Sequence, residues 1–265
     1  VLSGDSLRNL INRIGNPTQI GLLGDANTDW QREVFRPAYV SDNNVSITGG
    51  IKNLPYRLSM GNRVENGVLR RDLFNRNSLS LSLTPSLLKN TLQLEINSKL
   101  VNTRSFFANR GALGAAYFDP TQPVYSDTTT FGGYFEWLDN NGKPNTLSAR
   151  NPVGLLMQRE DRSSVWRLIG NAKATYKIPQ VTGLKFVVNG GIDQAEGKGW
   201  SETPSTSASG YFTQGSYNEY RNNKGNKLVE AYFNYNNGNG NKEQFSVLDV
   251  TAGYSYQDWY SSSPN

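Results

Sequence analysis

The stretch Ser78-Leu-Ser-Leu-Ser-Leu83 decides the fold, because leucine and serine alternate in it without interruption. Successive side chains of a β-strand point to opposite faces, so this stretch places three leucines on one face and three serines on the other. The same alternation of apolar and polar residues returns at 92–100 and again at 184–193. The sequence therefore predicts an all-β protein built from strands that have one apolar and one polar face.

Eight strands are predicted from this period of two, and one helix precedes them. The helix places Leu7, Leu10, Ile11 and Ile14 on one face and ends at Gly15-Asn16-Pro17. The strands lie at roughly 44–50, 56–65, 76–84, 91–103, 164–177, 184–193, 227–235 and 244–257.

The connections between the strands alternate between short and long. Short turns are expected at 52–55, 85–90, 179–183 and 236–242. Long segments are expected at 1–43, 104–163 and 194–226, with a shorter one at 66–75. Outer-membrane barrels have short periplasmic turns and long extracellular loops, whereas loops of this length are uncommon in compact soluble domains. A soluble β-sandwich or β-solenoid would also explain the alternation, but it would not explain this asymmetry.

Aromatic residues on the apolar parity fit the dimensions of a membrane. Trp166 and Tyr176 are ten residues apart, which is about 25 Å along the membrane normal for a tilted strand. Tyr56 and Tyr235 share the apolar parity and lie beside short turns. We expect all four to belong to the aromatic girdles of a transmembrane β-barrel.

The composition excludes several classes of function. With Cys 0 and His 0, the chain has no disulfide, no thiolate metal site and no Ser-His-Asp triad, so we expect neither an enzyme nor a cofactor. The pair Glu160-Asp161 does not suit a glycosidase, because adjacent strand residues point to opposite faces. The net charge of +5 is scattered without a basic block, so nucleic acid is not an expected partner.

Two groups of residues are candidates for contact with a transported solute. Six polar residues on the inward parity are expected to line the lumen: Arg57, Arg63, Gln93, Glu95, Arg167 and Lys173. Six loop aromatics are candidates for contact with substrate, because rings stack on sugar faces: Phe106, Tyr117, Tyr134, Trp137, Trp200 and Tyr211. The alternative is that these rings pack the loops together or contact a partner protein. Asp139–Gly142 is interpreted as a turn and not as a calcium site, since no suitably placed Glu completes the pattern.

Several consecutive segments resemble the barrel of SusC/RagA-type TonB-linked outer-membrane proteins. The resemblance begins at Asn27-Thr-Asp-Trp-Gln-Arg-Glu-Val-Phe-Arg36, Asn44-Val-Ser-Ile-Thr-Gly-Gly50 and Tyr56-Arg-Leu-Ser-Met-Gly61. It continues at Asn151-Pro-Val-Gly-Leu-Leu156, Leu228–Tyr235 and Gly253–Gln257. Together, the order and spacing of these segments are fairly specific to the family.

The resemblance implies a function that the residues alone do not give. Members of the family have a barrel of about 22 strands with a plugged lumen. They import glycans or peptides with energy from the TonB complex, which acts through the plug, and with a SusD-like surface lipoprotein. By this resemblance, residues 1–43 are an extracellular loop with a short helix. Residues 44–265 are part of the barrel wall, embedded in outer-membrane lipid. A soluble or surface-attached β-rich protein that binds carbohydrate, such as an adhesin, is the alternative.

Overall fold

A computed structural model describes residues 2–126, 129–238 and 247–263 of the chain. These residues form one antiparallel sheet of eight long strands and one two-residue strand. The strands are β1 Val40–Ile51, β2 Leu54–Asn66, β3 Leu73–Leu83, β4 Ser86–Leu87, β5 Leu92–Phe106, β6 Glu160–Lys177, β7 Leu184–Thr203, β8 Ser216–Asn236 and β9 Asp249–Ser262.

Each long strand pairs with its neighbours along the chain, in the order β1-β2-β3-β5-β6-β7-β8-β9, and β4 pairs with β5. No ladder between the long strands contains a break in register. Because register is kept, residues of one parity remain on one face of the sheet from end to end. The antiparallel barrel segment predicted from the sequence is confirmed.

The predicted loop at 194–226 is wrong in extent. β7 continues to Thr203 and β8 starts at Ser216, so only residues 204–215 connect them. The end of β7 and the start of β8 were not predicted because apolar–polar alternation ends near Ile192. The backbone ladder continues beyond it through residues that are mostly polar on both faces. The loop predicted at 104–163 is slightly shorter for the same reason, and spans 107–159.

The predicted last strand and last turn fall partly outside the described residues. Positions 244–246 of the strand predicted at 244–257 and positions 239–242 of the predicted turn lie outside the described residues. The described part of that strand lies in β9.

Short helices lie in the segments that join the strands. The predicted first helix is present as α1 Gly4–Ile14, where the Ser3 hydroxyl accepts a hydrogen bond from the Ser6 amide. α2 Pro17–Gly21, α3 Trp30–Val34 and α4 Pro152–Gln158 were not predicted, and Arg110–Tyr117 and Thr130–Gly133 are 3₁₀ segments. No helix among the described residues has the length and apolar character to cross a membrane.

The main apolar core lies among the loops and not on the sheet. It joins α3, the β2–β3 turn, the 3₁₀ segment at 110–117 and α4. Its members are Trp30, Val34, Leu69, Ala108, Ala112, Ala115, Phe118, Val153 and Leu156.

The apolar face of the sheet is uncovered. Val45, Tyr254 and Tyr256 are each more than half exposed, and Leu79, Leu100 and Ile192 are about two-fifths exposed. In a soluble β-sandwich a second sheet would cover this face. The single exposed layer is what a barrel wall facing lipid requires, and it removes the β-sandwich alternative.

Candidate functional site

The polar face of the sheet carries ion pairs that run from strand to strand. Arg63 of β2 lies 3.4 Å from Asp42 of β1 and also pairs with Glu65 on its own strand. Lys173 lies 3.3 Å from Glu95, its partner directly across the β5–β6 ladder. These four strands therefore hold part of their polar surface together by opposite charges on adjacent positions.

Arg167 makes the best-formed pair on this face. Its Nε and Nη2 donate to the two carboxylate oxygens of Asp193, at 2.8 and 2.5 Å. A planar guanidinium that meets a carboxylate at two points is the strongest form of such a pair. Beside it, the Asn171 amide donates to Asn189, and the Asn189 amide donates to Glu230, which extends the network to β8.

All six lumen candidates lie on this polar face. Four of them are the ion-paired residues Arg63, Glu95, Arg167 and Lys173. Arg57 lies 3.5 Å from the Ser46 hydroxyl, at the limit of a hydrogen bond, and Gln93 lies opposite Thr175. Contact of these side chains with a solute stays a prediction.

The four girdle candidates all lie on the apolar face. Tyr176 pairs with Leu92 and Phe186, and Tyr235 pairs with Leu184 and Val250. Trp166 and Tyr176 are 49% and 38% exposed, so both rings are open to the surroundings of the sheet.

Tyr56 lies on the apolar face of β2, beside the turn that joins β1 and β2. Its ring lies over Gly49 of β1, where an added Cβ would meet the tyrosine hydroxyl at 2.6 Å. A larger residue at position 49 would therefore displace the ring. The assignment of these four residues to girdles stays a prediction.

The loop aromatics fall into different environments. Tyr134 and Trp137 pack against the apolar core among the loops, which we call the loop core, and burial there raises the pKa of Tyr134. Tyr211 packs edge-on against Phe131, and Tyr117 is 90% exposed. Packing thus accounts for three of these four rings, and Tyr117 is the one that a soluble partner reaches most readily.

Asn151 and Glu136 form a buried polar centre inside the loops. The fully buried Asn151 side chain accepts hydrogen bonds from the amides of Val153 and Gly154, which caps α4, and donates to two backbone carbonyls. The backbone amide of Asn151 donates to Glu136 Oε1. Glu136 Oε2 has no hydrogen-bond partner, and Arg150 Nη1 is 3.9 Å away. Burial raises the pKa of Glu136 to about 7.

A concavity of about 1230 Å³ lies at the end of β5–β8 that adjoins the connections 107–159 and 204–215. Six of its lining residues are cationic and one is acidic. We call it the cationic pocket and define it by Arg71, Arg104, Arg162, Lys198 and Arg221 together with the rings of Phe106 and Trp200.

The pocket brings together two substrate candidates that are far apart in sequence. The Arg162 guanidinium lies 5.4 Å from the centre of the Phe106 ring and 5.8 Å from that of Trp200. The Arg71 guanidinium lies 4.5 Å from the centre of the same Phe106 ring. Phe106 is the last residue of β5 and Trp200 lies within β7, and both residues have the parity of the apolar face. Contact between substrate and these two rings stays a prediction, and it would occur outside the lumen.

The cations of this pocket could not be recognised from the sequence pattern. Arg162, Lys198 and Arg221 lie in stretches that were interpreted as loops, where parity has no meaning. Once strands are extended through those stretches, their alternate spacing on one face becomes readable.

The turn at Asp139–Gly142 is held by its own backbone. Asp139 Oδ1 accepts hydrogen bonds from the amides of Asn141 and Lys143, which lowers the pKa of this carboxyl. Among the described residues, no group of three or more acidic side chains is arranged to hold a metal ion.

Comparison with known proteins gives two curated relatives. The chain is 36% identical over 211 residues to the TonB-dependent receptor SusC of Bacteroides thetaiotaomicron. The aligned region covers 74% of this chain and 21% of that protein. It is 25% identical over 247 residues to the TonB-dependent receptor P3 of Formosa agariphila, which covers 88% and 23%. The chain thus spans between a fifth and a quarter of the length of these relatives. No protein-family model matches it.

Solved structures share the fold. The RagAB peptide importer in the open-open state matches with a TM-score of 0.63 at 18% identity, over 97% of this chain and 29% of that one. The RagAB peptide transporter gives a TM-score of 0.62 at 19% identity, with the same coverage.

A single antiparallel layer with an exposed apolar face and an ion-paired polar face is a segment of an outer-membrane β-barrel. The chain belongs to the SusC/RagA-like TonB-dependent receptors, and it corresponds to part of their barrel. It is accordingly an outer-membrane protein.

Proposed function

We propose that the full-length protein imports glycans or oligopeptides across the outer membrane in a TonB-dependent process, together with a SusD-like surface lipoprotein. The chain described here supplies about a third of the barrel wall, if the barrel has about 22 strands. The names of the relatives support this proposal, since they are TonB-dependent receptors and a peptide importer.

One structural observation carries the proposal: each of the eight long strands contributes polar or charged residues to one shared face of the sheet. A wall of serine, asparagine and paired charges suits a water-filled path for polar solutes. The exposed apolar face counts against a soluble carbohydrate-binding protein or adhesin.

Growth of a deletion strain on a panel of polysaccharides and peptides tests the import. We expect a growth defect on at least one substrate, which the full-length gene restores. Normal growth of the deletion strain on every substrate would contradict the proposal.

The role of the wall itself is tested by two adjacent glycines of β7. Gly191 lies on the polar face and Gly190 on the apolar face, and an added Cβ meets only ordinary contacts at both positions. Gly191→Trp places a bulky ring in the lumen and should slow uptake of the identified substrate. Gly190→Trp places the same ring in lipid and is the matched control. Equal uptake by the two variants would show that this wall does not border the import path.

A further inference from the structure

The cationic pocket lies on the lipid-facing side of the sheet, beyond the end of the apolar band. On β6, Arg162 is four residues beyond Trp166 on the same face, and on β5, Arg104 is four residues beyond Leu100. Four residues of a tilted strand correspond to about 10 Å along the membrane normal. The pocket therefore lies at the level of the lipid headgroups, within reach of side chains that extend back towards the membrane.

The pocket has more positive than negative charge. Arg71 and Arg162 share the carboxylate of Glu160, and Arg221 pairs with Glu196 at 2.7 Å. Arg104 and Lys198 form no ion pair within the part of the chain that the structure describes. Two cations are thus available to an anionic ligand without breaking an existing pair.

The aromatic rings hold the arginines in place. Phe106 contacts both Arg71 and Arg162, Trp200 contacts Arg162, and the Tyr217 ring stacks on Trp200 with ring centres 6.1 Å apart. These contacts fix the guanidinium groups of Arg71 and Arg162, which also donate to the Glu160 carboxylate. Arg71 and Arg162 are therefore ordered parts of the pocket wall, and Arg104 and Lys198 are the cations left to bind a phosphate group.

We propose that the cationic pocket binds the phosphate-bearing headgroup of an outer-leaflet membrane lipid. The chemistry that it recognises is phosphate, and the continuous apolar face assigns the lipid as its source. Acyl chains of a bound lipid would lie against Leu100, Trp166 and Leu168, directly below the pocket, whereas a free phosphate ion would leave this contact unused. Basic pockets at membrane interfaces bind anionic headgroups by the same combination of charge and apolar contact.

The test is the lipid that remains bound to full-length protein purified from its own outer membrane in mild detergent. Mass spectrometry and a phosphorus assay measure the phosphorylated lipid per protein. We expect the wild type to retain lipid and Arg104→Gln with Lys198→Gln to reduce it roughly tenfold. The charge-matched control, Lys99→Gln with Lys185→Gln, changes two cations of the polar face and should retain lipid.

A second variant separates loss of charge from loss of folding. Arg104→Lys with Lys198→Arg keeps both charges and should retain lipid as the wild type does. Equal lipid content in the wild type and the glutamine variant would overturn the proposal. It would also be overturned if inorganic phosphate bound to the purified protein while no lipid was retained. Loss of a co-purifying protein from the glutamine variant, with lipid unchanged, would assign the pocket to a protein partner and equally overturn it.

The proposal depends on the outer-membrane location of the chain and not on import. Lipid retention is measured without any transport substrate. A failure of this test therefore leaves the import proposal intact, and a strain without a growth defect leaves the lipid site intact.

Discussion

Asn151 shows how much a single residue in a loop can reveal when its neighbours in sequence are considered. An asparagine before Pro152 and an apolar run is typical of the start of a helix, because Asn caps the first turn and Pro fits its first position. That signal predicts α4. The burial of Asn151 and its contact with Glu136 could not be predicted, since they depend on chain segments that have no regular pattern.

Glu136 makes the loop core sensitive to pH. Its raised pKa of about 7 means that the folded loop binds a proton which the unfolded loop, with an ordinary value of 4.5, does not bind between these values. Stability from this group is fully present below pH 4.5 and is lost as pH rises to 7, by an amount on the order of 3 kcal/mol. Glu136→Gln should remove this pH dependence.

Hydrogen exchange of the full-length protein measures this effect at the amides of α4. After correction for intrinsic exchange, protection in the wild type should fall between pH 5 and 7, while protection in Glu136→Gln should stay level. An identical pH profile in both proteins would contradict the buried, partly unpaired carboxylate.

Strands were predictable wherever one of their faces meets lipid. Alternation identified every long strand, because an apolar row must lie opposite a polar row for as long as the strand crosses the apolar band. Beyond the band the constraint disappears, which is why Gln194, Glu196 and Lys198 were interpreted as loop. Backbone pairing continues there without alternation of apolar and polar side chains.

Consecutive residues of β6 test the two-faced wall directly. Asn171 and Lys173 lie on the polar face, and Ala172 and Ala174 on the apolar face. These 265 residues contain no cysteine. Any cysteine elsewhere in the full-length protein is replaced by serine, and each of the four positions is then replaced singly by Cys. We expect a charged thiol reagent to label positions 171 and 173 at least about tenfold faster than 172 and 174, because thiolates do not form in lipid. Equal labelling at all four positions would mean that this strand does not border lipid.

At the scale of the whole molecule, the loop core was the part least accessible from sequence. Trp30 packs edge-on against Phe118 with ring centres 4.7 Å apart, and both contact a core that includes Leu156. These residues are separated by tens to more than a hundred positions, and none lies in a periodic segment. The sheet could be predicted because its pairing follows chain order, whereas the core depends on contacts between distant loops.

Two edges of the sheet lead to a prediction for the chain expressed alone. Among the described strands, β1 pairs only with β2 and β9 only with β8. Unpaired edges attract other chains and are not tolerated in lipid. We expect the isolated 265-residue chain to aggregate and to give no ion conductance in planar bilayers. A stable monomer with steady conductance would refute this.

The ion pairs of the polar face have a consequence for what moves past it. Arg63, Arg167 and Lys173 are each paired with a carboxylate of the wall itself, so these positions present little net charge to the interior of the barrel. A polar solute next to such a surface exchanges one weak contact for an equivalent one at each step. On the import path proposed above, these paired positions would give a solute a series of weak, equal contacts and no tight binding site.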